Sequence, residues 1–416
     1  MRYSKNLCSG LCKNWLPVIQ RRANCENFIG DCVFFASMKI ALVSNHFWPV
    51  TGGIERVMLD VGSEMVRRGH EVEVHCSNVH PNGKKLAGEE EYAGIKIYRY
   101  PYAFRAGYYT SLFRPTIKDV DVLHLNGFGM LTNDYLTRKY HRKIPIVFST
   151  MHGIYIPTKK LINKIYHRMY FHTVGKKTLM LADKITTLQE LDILRLKSIG
   201  IPEGKIVAVP PFLDDKMLEE RVTVENKPFE RYIVYVGRLH TEKSPGHLIL
   251  ALNKLKLKDV GIVFVGPDGG EKEKLSVLAE RMNMRERVKF TGNVDEYTKM
   301  KLIAGSEFLV LPSMYEGFGI VILEAWALSK AVIASRVGGV PYIITDGADG
   351  LLYEWGDIDA LAHQMESLLT DRDLAHKMGI SGREKVIAKY TKSVVVSQIE
   401  NIYEEVIHSN QHGKKS

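Results

Sequence analysis

Residues 232–237 read Tyr-Ile-Val-Tyr-Val-Gly. Five apolar or aromatic residues closed by glycine have the length and composition of a strand buried on both faces. Before this run comes a break, Pro210-Pro211 followed by a charged stretch to Pro228. After it come a loop, a helical pattern through Leu255, and a second run of the same kind, Gly261-Ile-Val-Phe-Val-Gly266. Further strands are expected at 288–292, 308–312 and 331–335, each preceded by helical sequence. Upstream of the break the same alternation has already run once. Met38-Lys-Ile-Ala-Leu-Val-Ser44 reads as a buried strand, 54–68 as a helix stopped by Gly69, and 71–75 as an alternating strand. Strands at 120–125, 144–149 and 184–187 follow. Strand alternating with helix implies parallel sheets covered on both faces. The expected fold is α/β: two Rossmann-like, doubly wound parallel-sheet domains facing across a cleft.

The corresponding division is an N-terminal extension at 1–37 outside the fold and a first domain at 38–212. A linker at 213–229 leads to a second domain at 230–390. A C-terminal helix and tail at 391–416 pack back on the first domain. In such sheets ligands sit beyond the C-terminal ends of the strands, so the site is expected in the cleft.

Hydrophobic residues make up 45% of the 416 and charged residues 25%, as in a soluble globular protein. No run of 18 apolar residues is present, which excludes a spanning helix. Four of the five cysteines, Cys8, Cys12, Cys25 and Cys32, lie in the extension, at spacings unlike a zinc site. Only Cys76 lies in the body, which fits a reducing cytoplasm. The net charge of +10 is uneven: ten Lys/Arg and no acid lie between Asp134 and Asp183. Such a block suits an anionic surface or a solvated face, and no reader motif for nucleic acid accompanies it.

The stretch Glu316-Gly-Phe-Gly-Ile-Val-Ile-Leu-Glu324 follows the strand at 308–312. Gly317 and Gly319 let backbone approach a ligand, and the helix starting near Gly319 offers free N–H groups to an anion. Glu324 is the one polar residue between Ile320 and Leu328, so a buried carboxylate in need of partners is expected there, and ribose hydroxyls would serve. Gly237-Arg238-Leu-His-Thr-Glu-Lys243 places two cations past a strand end, suited to a diphosphate. The turn Pro49-Val-Thr-Gly-Gly-Ile-Glu55 directs the Gly53 N–H toward a phosphate, or is a plain tight turn. His152, after the strand at 144–149, is placed to meet sugar hydroxyls or the reacting centre, or is structural. Asp119-Val-Asp121 lies before its strand and Asp357-Ile-Asp359 in a late turn. No metal cluster is therefore expected, no cofactor is implied, and the two fixed cations take the role of a divalent ion.

These residues resemble family 4 (group 1) retaining glycosyltransferases of the GT-B fold, over about residues 38–407. Glu316 and Glu324 match the family's Glu-x7-Glu motif, Arg238 and Lys243 its Arg/Lys pair, and Gly52-Gly53-Ile-Glu55 its glycine loop. The resemblance implies a hexosyltransferase-type enzyme taking a UDP- or GDP-sugar. Glu316 would lie near donor-sugar hydroxyls, Glu324 at the ribose, and Gly317, Phe318, Gly319 and Ile320 would meet sugar and phosphate through backbone. The base would sit near Phe290-Thr-Gly292. Retention of configuration is implied, with a glycan or a lipid as acceptor. A nucleotide-sugar epimerase of the same architecture and a non-catalytic nucleotide-binding module are the rival readings. Lys160, Lys164, Arg168 and Lys176 recur at fourfold helical spacing after Pro157. With Ile165 and Met169 they suggest peripheral docking on the cytoplasmic face of an anionic membrane.

Overall fold

The computed structural model describes residues 37–50, 52–105, 111–151, 165, 168–219 and 222–413. The extension through residue 36, with its four cysteines, lies outside them. So do His152, Lys160 and Lys164.

Sixteen strands form the framework. β1 (Lys39–Val43), β2 (Glu71–Ser77), β3 (Glu89–Tyr92) and β4 (Ile95–Tyr100) are followed by a two-residue pair, β5 (Phe104–Arg105) and β6 (Ser111–Leu112). β7 (Val122–Asn126), β8 (Ile146–Ser149), β9 (Lys184–Thr187) and β10 (Ile206–Ala208) complete the first half. The second half holds β11 (Arg231–Val236), β12 (Val260–Val265), β13 (Val288–Gly292), β14 (Leu309–Leu311), β15 (Val332–Ser335) and β16 (Leu351–Tyr353). The first sheet runs β10-β9-β8-β7-β1-β2-β4-β3 and the second β13-β12-β11-β14-β15-β16. All pairs in the two sheets are parallel except β3 with β4. In each sheet the order reverses beside the first strand, β1 or β11, and this switch opens a crevice at the C-terminal strand ends.

Period-two alternation sends successive side chains to opposite faces. Ile40 and Leu42 enter one core while Ala41 and Val43 enter another. Ile233 and Tyr235 are likewise separated from Tyr232, Val234 and Val236. Each sheet thus carries two apolar layers and is doubly wound.

The chain crosses between the halves twice, and the crossings lie side by side. Leu213 N–H donates to the Tyr390 carbonyl at 2.8 Å, and Lys392 N–H donates to the Leu213 carbonyl at 2.8 Å. After Leu213 the described residues include a short helix, Lys216–Glu219. The C-terminal helix Lys392–Gly413 inserts Val395, Val396, Ile399, Ile402, Tyr403 and Val406 into the apolar layer that holds Ile40 and Val74. Arg68, its side chain 5% exposed, reaches Glu64 at 2.9 Å and Glu400 at 2.5 Å. His70 meets Glu400 at 2.9 Å, and Tyr403 Oη lies 2.6 Å from His124 Nδ1.

The basic segment departs from the expected stripe. Residues 168–170 are helical, but Phe171–Gly175 is a π turn before the helix Lys176–Leu181 resumes. A π turn inserts one extra residue per turn, so positions on its two sides cannot continue one fourfold row. Arg168 is exposed, whereas Lys176 is half-buried. Tyr170 is buried and donates to Asp134 at 2.8 Å. Ile165 and Met169 stand exposed.

Candidate functional site

The site is built from the strand ends of the second sheet. β14 runs into Ser313, and the turn that follows brings Glu316 toward the end of β11. Past β11 the chain opens at Gly237 (φ 154) and forms the turn Thr241–Lys243, capped by His240 Nδ1, which accepts from the Glu242 N–H at 3.3 Å. Lys243 Nζ thereby reaches Glu316 Oε2 at 2.6 Å, and Ser313 Oγ donates to the same oxygen at 3.3 Å. Two residues 73 apart in sequence form one fixed charge pair, with side chains 27% and 14% exposed. Arg238 is exposed beside them, and among the described residues its guanidinium has no ion-pair partner.

Gly319 (φ 84) turns the chain into the helix Ile320–Ala327. That conformation is costly for other residues, and no side chain caps the helix N-terminus, where the Ile322 N–H donates to the Gly319 carbonyl at 2.9 Å. The Phe318 side chain packs edge-to-face on Tyr390, 5.9 Å between centroids, so only its backbone is left for a ligand. Behind the turn, the Gly339 N–H donates to the Glu316 carbonyl at 3.1 Å, and a Cβ on Gly338 would strike that same oxygen. The Gly338-Gly339 support escaped sequence reasoning. Glycine pairs in loops are common, and only the fold shows what this one presses against.

Glu324 is 5% exposed on that helix. Its Oε1 accepts from Lys299 Nζ at 2.8 Å, while Oε2 has no partner. Burial raises the Glu324 pKa, and Lys299 opposes the shift. A buried acceptor without a donor costs about 1–3 kcal/mol, so a ligand hydroxyl placed there would be bound strongly. Lys299 also meets Glu296 at 2.7 Å. It belongs to the helix Glu296–Ala304 and carried no sequence signal. Beyond β12, Gly266 N–H donates to the Gly292 carbonyl at 2.9 Å, tying down the end of the Phe290-Thr-Gly292 strand.

Across the cleft, Gly53 opens the helix Gly53–Arg67, and a Cβ built on it meets nothing within 4 Å. The Glu55 carboxyl turns back over this turn against the N–H groups of Gly52 and of Glu55 itself, and burial raises its pKa. At the end of β1, burial lowers the His46 pKa to about 4, aided by Arg105 and His80. Asn45 beside it accepts from Tyr102 at 2.9 Å and Ser111 at 2.8 Å. Neither residue stood out in the sequence.

Asp121 caps the start of β1, accepting from Lys39 N–H at 2.7 Å, and Asp357 caps the helix Ile358–Thr370. Both acidic pairs are structural. Among the described residues no three His, Cys, Asp or Glu side chains gather as metal ligands, and no helix is long and apolar enough to cross a membrane.

Comparison with known proteins bears on this arrangement. The family described as "Glycosyltransferase Family 4" matches residues 51–216, and that described as "Glycosyl transferases group 1" matches residues 218–385. N-acetyl-alpha-D-glucosaminyl L-malate synthase of Bacillus anthracis is 26% identical, across 88% of this chain and 97% of its own. Sucrose-phosphate synthase from Thermosynechococcus elongatus superposes with a TM-score of 0.67 at 21% identity, over 89% of this chain and all of that one. Anabaena HepE, solved in complex with UDP, superposes with a TM-score of 0.67 at 16% identity, over 88% of this chain and all of that one. These two structures share the two-domain GT-B fold described above. The chain belongs to the family 4 (group 1) glycosyltransferases.

Proposed function

We propose that this glycosyltransferase moves a sugar from a nucleoside diphosphate sugar to an acceptor hydroxyl with retention of anomeric configuration, the donor lying on the second sheet. The observation that carries the reading is Glu324 Oε2, a buried acceptor without a donor, 5% exposed and one helix away from the Lys243–Glu316 pair. Ribose hydroxyls satisfy that oxygen. The diphosphate then lies over the uncapped start of the helix Ile320–Ala327, with the backbone of Gly317, Phe318 and Gly319 beside it and Arg238 and Lys243 as its cations. Glu316, oriented by Lys243, meets the hydroxyls of the transferred sugar. His152, which lies outside the described residues, is assigned to the reacting centre on its sequence position after the strand Ile146–Ser149, and Gly53 to the phosphate side.

No enzymic nucleophile stands in the described site, which favours attack by the acceptor oxygen on the face the diphosphate leaves. The bond from the anomeric carbon to the phosphate oxygen breaks, the bond to the acceptor oxygen forms, and the departing phosphate takes the acceptor proton. Arg238 and Lys243 offset the charge that develops on that phosphate, so neither a divalent metal nor a cofactor is invoked. Catalysis is then positioning and electrostatics. UDP is the first nucleotide to test, because it is bound in the Anabaena structure, and GDP the second.

The acceptor is a glycan or a lipid-linked molecule, and the enzyme works at the cytoplasmic face of a membrane. The charge of the segment before Asp183 and the exposed Ile165, Arg168 and Met169 support this docking, to which Lys160, Lys164 and Lys176 add charge.

Thermal shift against UDP, GDP and their sugars tests the donor, since a bound ligand stabilises the fold by mass action. Mass analysis of the products then tests the reaction. Free nucleoside diphosphate plus a glycoside, formed in the presence of a chelator, is the expected result. An epimer of the intact donor, or dependence on added divalent metal, would overturn it. Co-sedimentation with vesicles should require anionic lipid and fade as salt rises.

A further inference from the structure

A cavity of about 300 Å³ lies at the C-terminal ends of β1, β7, β8 and β9, and among the residues assigned to the donor it shares Gly53 and Ile320. Its lining is mostly apolar, with Leu42, Val57, Met58, Val61, Met151 and Phe212 among the apolar side chains and His124, Asn126, Ser149 and Thr186 as the polar residues. It also touches Gly53 and Ile320, the first residues of the two helices that start at the glycine turns. Its volume is at the lower end for small-ligand pockets, which run to roughly 300–1,000 Å³.

One polar feature in this wall lacks a partner. His124 is 6% exposed, its Nδ1 lies 2.6 Å from Tyr403 Oη, and its Nε2 has no hydrogen bond. A sugar would bring several hydroxyls against this lining, each costing about 1–3 kcal/mol if left unpaired. A saturated chain brings none, and each methylene it buries contributes about 0.8 kcal/mol. The bordering Gly53 and Ile320 put the far end of such a chain next to the proposed donor.

We propose that this cavity seats the aliphatic portion of the acceptor, with one polar group of that acceptor taken by His124 Nε2. The proposal rests on the glycosyltransfer reading for the word acceptor, and it narrows the two acceptor classes to the lipid-like one. Burial lowers the His124 pKa to about 4, so the ring is neutral at pH 7 and serves a neutral polar group.

The test uses the full chain and N-phenyl-1-naphthylamine, whose fluorescence rises in apolar surroundings. One probe should bind per chain, 1-decanol should displace it, and glucose should not. UDP should leave probe binding unchanged. Val57→Trp, which fills the cavity from a half-buried position, should weaken probe binding at least about tenfold while its UDP-induced thermal shift persists. His124→Phe, which removes the polar group and keeps the apolar wall, should retain the probe and guards against a Val57→Trp chain that fails to fold. Absence of wild-type binding, displacement by UDP, or equal binding in folded Val57→Trp overturns the proposal. A missing UDP shift with decanol-sensitive probe binding intact would instead overturn the donor reading and leave the cavity standing.

Discussion

Each sheet delivers a strand into a glycine turn and then a helix, at Gly52-Gly53 in the first half and at Gly317 to Gly319 in the second. The two helix starts are left in different states. Glu55 folds back over the first, against the N–H groups of Gly52 and of Glu55 itself. At the second no side chain caps the helix. The walls around them differ in the same sense. The second half holds fixed charges in pairs, Lys243 with Glu316 and Lys299 with Glu324. The first half holds groups that burial drives toward neutrality, His46, His124 and Glu55, and around His124 a mostly apolar lining. On the proposed reading, one topology supplies a polar wall for a charged donor and an apolar wall for its counterpart. What distinguishes them is side chains at strand ends, and not the strands.

The largest expected effect lies on the charged wall. Arg238→Ala and Lys243→Ala should each lower turnover by roughly two to three orders of magnitude, measured as nucleoside diphosphate release, as for loss of a charge-stabilising donor. Glu55→Gln, which keeps the fold-back contact and discards the charge, should change it by less than about tenfold. An equal loss in Glu55→Gln would place chemistry on both walls and break the contrast.

The neutral wall should declare itself in acid. The unfolded chain protonates histidine near pH 6.5, whereas buried His124 resists until about pH 4. The stability this ring contributes is present above the unfolded value and is lost as pH falls through that window. For 2.5 pKa units the loss is on the order of 3 kcal/mol by pH 4. His46 acts in the same direction. Denaturant unfolding at pH 7 and at pH 4 should show the drop, and His124→Phe should show correspondingly less of it. A flat wild-type profile would remove the neutral wall from the comparison.

The smallest effects separate the two turns. Gly319→Ala places a side chain at φ 84 and should cost about 1–2 kcal/mol in stability. Gly53→Ala meets open space at an ordinary backbone conformation and should be neutral or stabilise by up to about 1 kcal/mol. Equal losses in denaturant titrations would mean that the first turn is as constrained as the second.

How much of this could be read in the residues differs along the same line. The strand sets were legible because apolar runs closed by glycine are local signals, and so was Glu324, which interrupts an all-apolar helix. Its partner Lys299 was not legible, since nothing near it in sequence marks a lysine that points into a site. His124 was invisible for a similar reason: it completes its contacts with Tyr403, 279 residues away. The basic stripe failed at Phe171–Gly175, where a π turn shifts the row without a distinctive residue to announce it. Glu55 was noted as part of the glycine loop, but its fold-back depends on how the turn is buried.

The contact between His124 and Tyr403 also has a bearing on synthesis. A ribosome adds residues in order, at about 5–20 per second. The first sheet is made early, yet the apolar face that takes Val395, Ile399 and Tyr403 has no cover until those residues emerge. Until they emerge that cover is missing, so the first half is completed late in synthesis. Its completion is timed by the second half, whose sheet has by then been made in full.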